Sequence, residues 1–408
     1  MTNTVLTDVV AGQYSRWMYP KPIMDLTEWV VSNWEWFDPS HAHPVFWPDR
    51  DYDINMDVLV AGCGTNQAAV IAFTNPGAKV VAIDVSSQSL AHQQFLKEKH
   101  GLQNLELHLL PIEELDTLSR DFDLIVSSGV LHHMASPQAG MDALARCLRR
   151  DGVAAIMLYA RHGRVGVDML SSAFRDMGLR QDEVSVAMVR EVLASLPQDH
   201  PVRAYLSIAR DLDTDAGVVD TFLHGRERNY TIPECLGLVE AAGLVLQDLF
   251  FKAPYNPWPF AESPLHAPLA DMSREQRWSV MERINFRNSC HFFMACRPDR
   301  DPGGWRIDFS PEASAGYVPA FRHRCHIKGS QVVRHGFSME LSPVQSSLLR
   351  QVDGRRSIKD IVAIANRSGP LKGQGLSRIE PIATGFFYGL WQTDFLTMTM
   401  PRLSLIHI

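Results

Sequence analysis

Asp57-Val-Leu-Val-Ala-Gly-Cys-Gly-Thr-Asn-Gln67 is an apolar run that breaks into two closely spaced glycines and then takes on helical composition. Val58 to Ala61 has the length and apolarity of a strand buried on both faces. Gly62 and Gly64 let the chain turn sharply and let backbone approach a ligand with no Cβ in the way. A helix that follows such a turn directs its unpaired N–H groups into the same space. The stretch therefore predicts the first strand, turn and helix of an α/β sheet, with a ligand on the turn.

The text downstream keeps the alternation going. Lys79–Asp84 reads as the next strand, 86–100 as a helix, 105–110 as the third strand and 122–127 as the fourth. A helix over 141–149 and a turn at Asp151-Gly152 precede a fifth strand over 153–159. Strands alternating with helices imply a parallel sheet with right-handed crossovers, covered on both faces. Ligands bind such sheets beyond the carboxyl ends of the strands. The residues to watch are Gly62 to Gly64, Asp84, Pro111 to Glu113, Ser127 to His133 and Tyr159 to Arg164.

Asp84 ends the second strand, where an acid can accept hydrogen bonds from both hydroxyls of a ribose. The competing reading is a helix cap, with Ser86 or Ser87 as rival caps. A dinucleotide fingerprint would need glycine where this chain has Gln67, and no Gly-Lys-Ser/Thr follows to make a phosphate loop. A ribose acid without a phosphate cradle points to an adenosine ligand with no phosphates, for which S-adenosylmethionine is the obvious candidate.

Val58-Leu-Val-Ala-Gly-Cys-Gly-Thr65, Ile83-Asp84, Phe122-Asp-Leu-Ile-Val-Ser-Ser-Gly-Val-Leu-His-His133 and Arg150-Asp-Gly152 resemble the successive motifs of class I S-adenosylmethionine-dependent methyltransferases. The resemblance covers about residues 50–300. It implies a doubly wound, Rossmann-like, seven-stranded, mostly parallel sheet. It also implies cofactor contacts from Ala61, Gly62, Cys63, Gly64, Asp84, Val85, Ile112, Glu113, Ser128 and Gly129. Two positions depart from the pattern. Asn66 replaces a third glycine, and Leu110-Pro-Ile-Glu-Glu114 stands where an acid near adenine is common. His132 and His133 follow the fourth strand, where one of them could act as a general base for the acceptor proton. The alternative is a family turn in which one histidine packs and the other caps.

Residues 13–48 form an aromatic and proline-rich N-terminal arm, readable as packed on the main domain or as a lid over a pocket. Residues 165–230 interrupt the sheet with helical text over 182–196 and 201–210. Insertions there commonly form the acceptor pocket in the resembled family, which makes His224, Arg226 and Tyr230 acceptor-side candidates, beside Tyr14 and Arg16 of the arm read as a lid and Tyr159 at the end of the fifth strand. Surface salt bridges are the alternative for the arginines. Asp211-Leu-Asp-Thr-Asp215 resembles a calcium loop, but Ala216 and Phe222 replace the glycine and glutamate it requires. Thr231-Ile-Pro-Glu234 reads as a capping box. Residues 244–251 and 291–297 read as an antiparallel last pair of strands, and 254–260 is too rich in proline for sheet.

Length sets the outer frame. At 408 residues the chain is too long for one ordinary core. We expect an arm over 1–50, a methyltransferase domain over 51–300 with its insertion, and a small winged-helix-like α+β domain over 305–402. That last region resembles peptide-binding winged helices, with helices over 341–349 and 352–362 and a closing hairpin over 388–398. Residues 320–380 hold eleven Lys and Arg against four acids, whereas the whole chain is at −7. With no arginine-rich run on one helix, peptide or protein contact is favoured there over nucleic acid. Six scattered cysteines without a Cys-x-x-Cys suit reduced thiols in a cytoplasm. No basic, apolar leader opens the text and no window is apolar enough to span a membrane. His323-Arg-Cys-His326 lacks a second pair at zinc spacing, so no metal is expected. Residues 403–408 resemble a translated sequencing adapter and are expected to be a non-native tail. The text supports a small-molecule, peptide or protein methyl acceptor, or alternatively a regulatory protein that keeps the cofactor as a ligand.

Overall fold

The computed structural model describes residues 8–256 and 264–401. The expected leader-free start, the tail over 403–408 and part of the 254–260 segment therefore lie outside the described residues. The chain divides into two units, one of Met1–Asp38, Asp53–Leu249 and Arg274–Asp299, the other of Pro39–Tyr52, Phe250–Ser273 and Arg300–Ile408.

The first unit is built on a seven-stranded sheet: β1 (Asp57–Ala61), β2 (Lys79–Asp84), β3 (Leu105–Leu109), β4 (Phe122–Ser128), β5 (Leu148–Tyr159), β6 (Val245–Leu249) and β7 (Cys290–Cys296). Its order is β3-β2-β1-β4-β5-β7-β6, with β1 to β5 parallel and β7 antiparallel to both β5 and β6. Val58, Leu59, Val60 and Ala61 are all buried, as a strand covered on both faces must be. The order reverses at β1, so β1 and β4 diverge to open a crevice at their carboxyl ends. At the opposite edge Arg149 reaches Asp57 and Asp123, each at 2.6 Å.

One expectation needs correcting. Asp151-Gly152 does not end an element; β5 runs unbroken from Leu148 to Tyr159. The register against β4 passes from Phe122↔Leu148 to Leu124↔Val153. Residues 149–152 stand opposite Asp123 alone, so three extra residues are absorbed in an irregularity of the ladder rather than spent on a turn.

The insertion folds into the helices Val165–Asp176, Glu183–Ser195, Val202–Leu206 and Asp215–Phe222. They have a core of their own in Val167, Leu170, Phe174, Val189, Val218 and Phe222. The capping box at Thr231 and Glu234 forms as read.

The second unit holds the sheets β11-β10-β9 and β12-β8, formed by β8 (Val318–Phe321), β9 (His326–Lys328), β10 (Gln331–Arg334), β11 (Phe337–Glu340) and β12 (Leu396–Thr399). Val332, Leu348, Ile361, Ile379, Phe387 and Leu390 fill its core. The closing hairpin over 388–398 is not formed. Tyr388 belongs to the helix Leu376–Gln392, and β12 pairs with the distant β8. Ile379, Ala383, Phe386, Phe387 and Leu390 supply helical rather than alternating spacing, which carries the helix through Tyr388.

Candidate active site

Gly62 and Gly64 both adopt left-handed φ, +76° and +52°. A Cβ on Gly62 would stand 2.4 Å from Val130 Cγ2, so the turn closes against the loop after β4. Gly64 N–H donates to Asp84 Oδ2 and Ser86 N–H to Asp84 Oδ1, both at 2.8 Å. Burial raises the Asp84 pKa while these backbone donors oppose the rise. Ser86 caps the helix Ser87–His100 by accepting from Ser89 N–H, so Asp84 is released from capping. Each Asp84 oxygen keeps lone-pair capacity for a further donor. Gln93 braces the turn: its Nε2 donates to the carbonyls of Cys63 and Gly64, and its Oε1 accepts from Ala69 N–H.

Asn66 has φ −134°, a conformation that needs no glycine. Its amide clasps the arm instead, donating to Lys21 O at 2.9 Å and accepting from Ile23 N–H at 2.8 Å. Thr65 Oγ1 donates to Pro20 O beside it. Replacing Asn66 by glycine should cost about 1–3 kcal/mol for the two lost bonds. Urea unfolding measures that cost, and faster proteolysis within 19–26 would localise it.

Residues 8–26 thus lie across the glycine turn, and their first half is fastened to the insertion. Asp8 forms a two-pronged pair with Arg226 at 2.8 Å, and Gln13 Oε1 accepts from Gln181 Nε2 and Gly225 N–H. Tyr14 Oη donates to Asp220 Oδ1 at 2.8 Å, and Tyr19 Oη to Asp211 Oδ2 at 2.6 Å. The acidic loop read as solvated therefore anchors the arm through Asp211.

Behind Tyr14 lies a buried polar cluster. Asp220 is 2% exposed and also accepts from Tyr159 Oη at 3.2 Å. Burial lifts its pKa to about 6 against the two hydroxyl donors. His133 stacks on His224 with centroids 3.8 Å apart, and His132 stacks on Tyr159 at 3.9 Å. Desolvation pushes His132 and His224 well below the ordinary range and His133 to about 3, so all three are neutral at pH 7. Arg164 covers the Tyr159 ring at 3.7 Å.

His133, Asp220 and His224 place ligand-type atoms within 4.8 Å of one another. However, Arg226 N–H donates to His224 Nδ1, which puts the ring proton on Nε2, facing Tyr14 Oη at 3.3 Å. A protonated Nε2 is a donor and not a metal ligand. Tyr14 Oη links Asp220 and His224 by hydrogen bonds, and His133 joins them only by stacking on His224.

The predicted acceptor-side residues separate on inspection. Tyr14, Tyr159 and His224 meet at Asp220. Arg16 is exposed and pairs with Glu183, and Arg226 is committed to Asp8. Tyr230 is buried, with its backbone bonded to Tyr159 and Arg161, and Arg228 lies over its ring. His133 Nδ1 lies 2.9 Å from Arg226 O, which makes it the donor. Both nitrogens of His132 are buried without a partner among the described residues. His132→Phe should therefore keep or raise stability, since no bond is lost and a desolvated polar ring is removed. A lower melting temperature in calorimetry would show a bond that the ring does make.

Ile112 opens a short 3-10 turn that includes Glu113, after β3. Val85 follows β2, Ser128 ends β4 and Gly129 follows it, on the same edge as the glycine turn. Sequence reasoning missed Asp220, Glu227, Gln93 and the clasp of Asn66. An acid inside the apolar Val218-Val-Asp-Thr-Phe222 was the available signal for Asp220.

A sequence model described as a methyltransferase domain matches residues 53–190, which hold the glycine turn, Asp84 and the two histidines after β4. Residues 53–190 carry a class I S-adenosylmethionine-dependent methyltransferase domain. S-adenosylmethionine is accordingly the cofactor of this methyltransferase, and Asp84 with the turn fits a ribose that carries no phosphate. The methyltransferase is 27% identical over 290 residues to the uncharacterized protein syc1184_c of Synechococcus, covering 69% of each chain. It is 36% identical over 129 residues to a tRNA U34 carboxymethyltransferase of Shewanella, covering 31% of this chain and 36% of that relative. It thus spans about a third of the length of those tRNA enzymes. Its fold is similar to that of PKMT2 from Rickettsia typhi, solved in complex with AdoHcy: TM-score 0.66, 14% identity, covering 94% of this chain and 78% of that one. No helix among the described residues is long and apolar enough to cross a membrane.

Proposed function

We propose that this methyltransferase modifies a small molecule or a peptide or protein side chain enclosed between the arm and the 165–230 insertion. One observation supports the reading. Tyr14 accepts from Ser86 Oγ through its backbone carbonyl while its hydroxyl donates to Asp220, so the buried cluster adjoins the ribose acid. When bound, the cofactor supplies an activated sulfonium methyl. Ala61, Gly62, Cys63 and Gly64 would form its bed, and Asp84 and Val85 would hold the ribose. Ile112 and Glu113 would hold the adenine, and Ser128 and Gly129 the methionine portion. The arm excludes water from the crevice and orients the acceptor, which is the main contribution a protein makes to this chemistry. His132 and His133 act as wall groups, because burial keeps them neutral and the His133 Nδ1–H is already spent.

Residues 305–402, with their basic excess, contact a peptide or protein partner in this reading, and the reduced cysteines suit a cytoplasmic setting. The test uses methyl-tritiated S-adenosylmethionine and cell extract, separated into protein, RNA and small-molecule fractions. Label in the protein or small-molecule fraction is expected. Label confined to RNA would overturn the acceptor class and favour the substrate type named for the tRNA-modifying relatives.

A further inference from the structure

We propose that Asp220, reached through the hydroxyl of Tyr14, takes the proton released by the methyl acceptor, so that closure of the arm assembles the base. This deepens the proposed acceptor space and rests on it.

The carboxylate is held in place from two sides. Tyr14 on the arm donates to one oxygen and Tyr159 at the end of β5 to the other. Tyr159 is itself clamped, with His132 stacked on its ring at 3.9 Å and the Arg164 guanidinium 3.7 Å away. Asp220 stands in a fully buried stretch of its helix together with Val218, Val219 and Phe222. A buried acid there is costly unless it is hydrogen-bonded, and the two tyrosine hydroxyls supply those bonds.

The other titratable groups nearby are spent or unsuited. His133, His224 and His132 lose basicity to burial, and His133 and His224 have their Nδ1 atoms engaged with Arg226 backbone. Arg164 is paired with Glu227 at 3.0 Å, and Asp211 accepts from Tyr19. Asp211 raises Asp220 and Arg164 lowers it, while desolvation dominates. Burial raises Glu227 too, to about 7, but Arg164 holds both of its oxygens, which leaves Asp220 as the carboxylate open to a relayed proton.

The step balances. The acceptor's X–H bond gives its electron pair to the new X–CH3 bond, and the C–S pair stays on sulfur as a neutral thioether. The X–H proton passes to Tyr14 Oη as the Tyr14 proton passes to Asp220 Oδ1. Asp220 ends as a carboxylic acid and releases its proton when the arm opens.

Ionisation of Asp220 also sets a sign. Its folded pKa, about 6, exceeds its ordinary 3.8. Its contribution to stability is therefore complete below 3.8 and lost as pH rises through 6. Transfer should rise over that same window, since the base forms there.

The experiment compares full-length wild type with Asp220→Asn and Tyr14→Phe, using methyl-tritiated S-adenosylmethionine and whatever extract fraction wild type labels. Calorimetry with AdoHcy runs in parallel. Expected are unchanged AdoHcy affinity, a loss of about 100-fold in labelling for Asp220→Asn, and a wild-type rate that climbs through pH 6. Residual activity in Asp220→Asn should lack that limb, and Asp220→Glu should restore it. A folded Asp220→Asn that labels at the wild-type rate, or one whose residual activity keeps the pH limb, overturns the proposal. Lost AdoHcy binding in wild type would instead sink the cofactor site. Wild-type AdoHcy binding with no labelled fraction would overturn the acceptor reading on which the proposal stands.

Discussion

Asp84→Ala is expected to weaken AdoHcy binding by at least tenfold in calorimetry, with the fold retained. Each hydrogen bond from a ribose hydroxyl to a carboxylate contributes about 1.5–3 kcal/mol, and 1.4 kcal/mol is already a factor of ten. The substitution removes the acceptor for both hydroxyls. It also frees the N–H groups of Gly64 and Ser86, each 2.8 Å from a carboxylate oxygen, and loosens the turn itself. Asp84→Asn separates the two effects, because its amide oxygen can still accept from one backbone donor. Affinity in Asp84→Asn should fall between wild type and Asp84→Ala. Equal affinity in all three would remove the ribose assignment.

Arg164→Met should produce the largest loss of stability. The guanidinium is 1% exposed and grips both oxygens of Glu227 at 3.0 Å. It also donates to Tyr205 Oη at 3.2 Å. Burial lifts Glu227 to about 7 even with that partner present. Breaking such a pair from one side leaves a buried carboxylate with no counter-charge, which costs about 3–5 kcal/mol. Denaturant unfolding measures the loss as a fall in midpoint at constant slope. Pairing Arg164→Met with Glu227→Leu should recover most of it, because the charge is then removed with its partner. A double variant as unstable as the sum of the singles would mean that the stacking on Tyr159, and not the ion pair, carries the energy.

The parts of the site that were legible are those encoded locally. The turn after β1, the acid closing β2 and the Ser127–His133 segment each announce themselves within a dozen residues, because strand burial and turn geometry act on neighbours in the chain. Asn66 was legible as a departure but not as a clasp. Its partners Lys21 and Ile23 are over forty residues away, and only closure of the arm brings their backbone to the amide. The arginines of the insertion show the converse. Arg16 and Arg226 carry the right chemistry for substrate contact, yet Glu183 and Asp8 already take their charge. The helix through Tyr388 was misread because a few β-prone residues outweighed a longer helical period.

Alone, the sequence determined the alternation of strands and helices around β1 to β5, and it pointed to a ligand beyond β1 and β2 and to the adenosine class of that ligand. Those follow from periodicity and from residues adjacent in the chain. Only the tertiary structure decided that the arm crosses the turn, that the histidines after β4 are buried and neutral, and that Asp220 sits at the centre of the acceptor-side cluster. Tyr14 and Asp220 are 206 residues apart, and nothing local to either marks the other. Their meeting depends on the packing of distant segments, where desolvation and not residue type sets the proton affinity of each group.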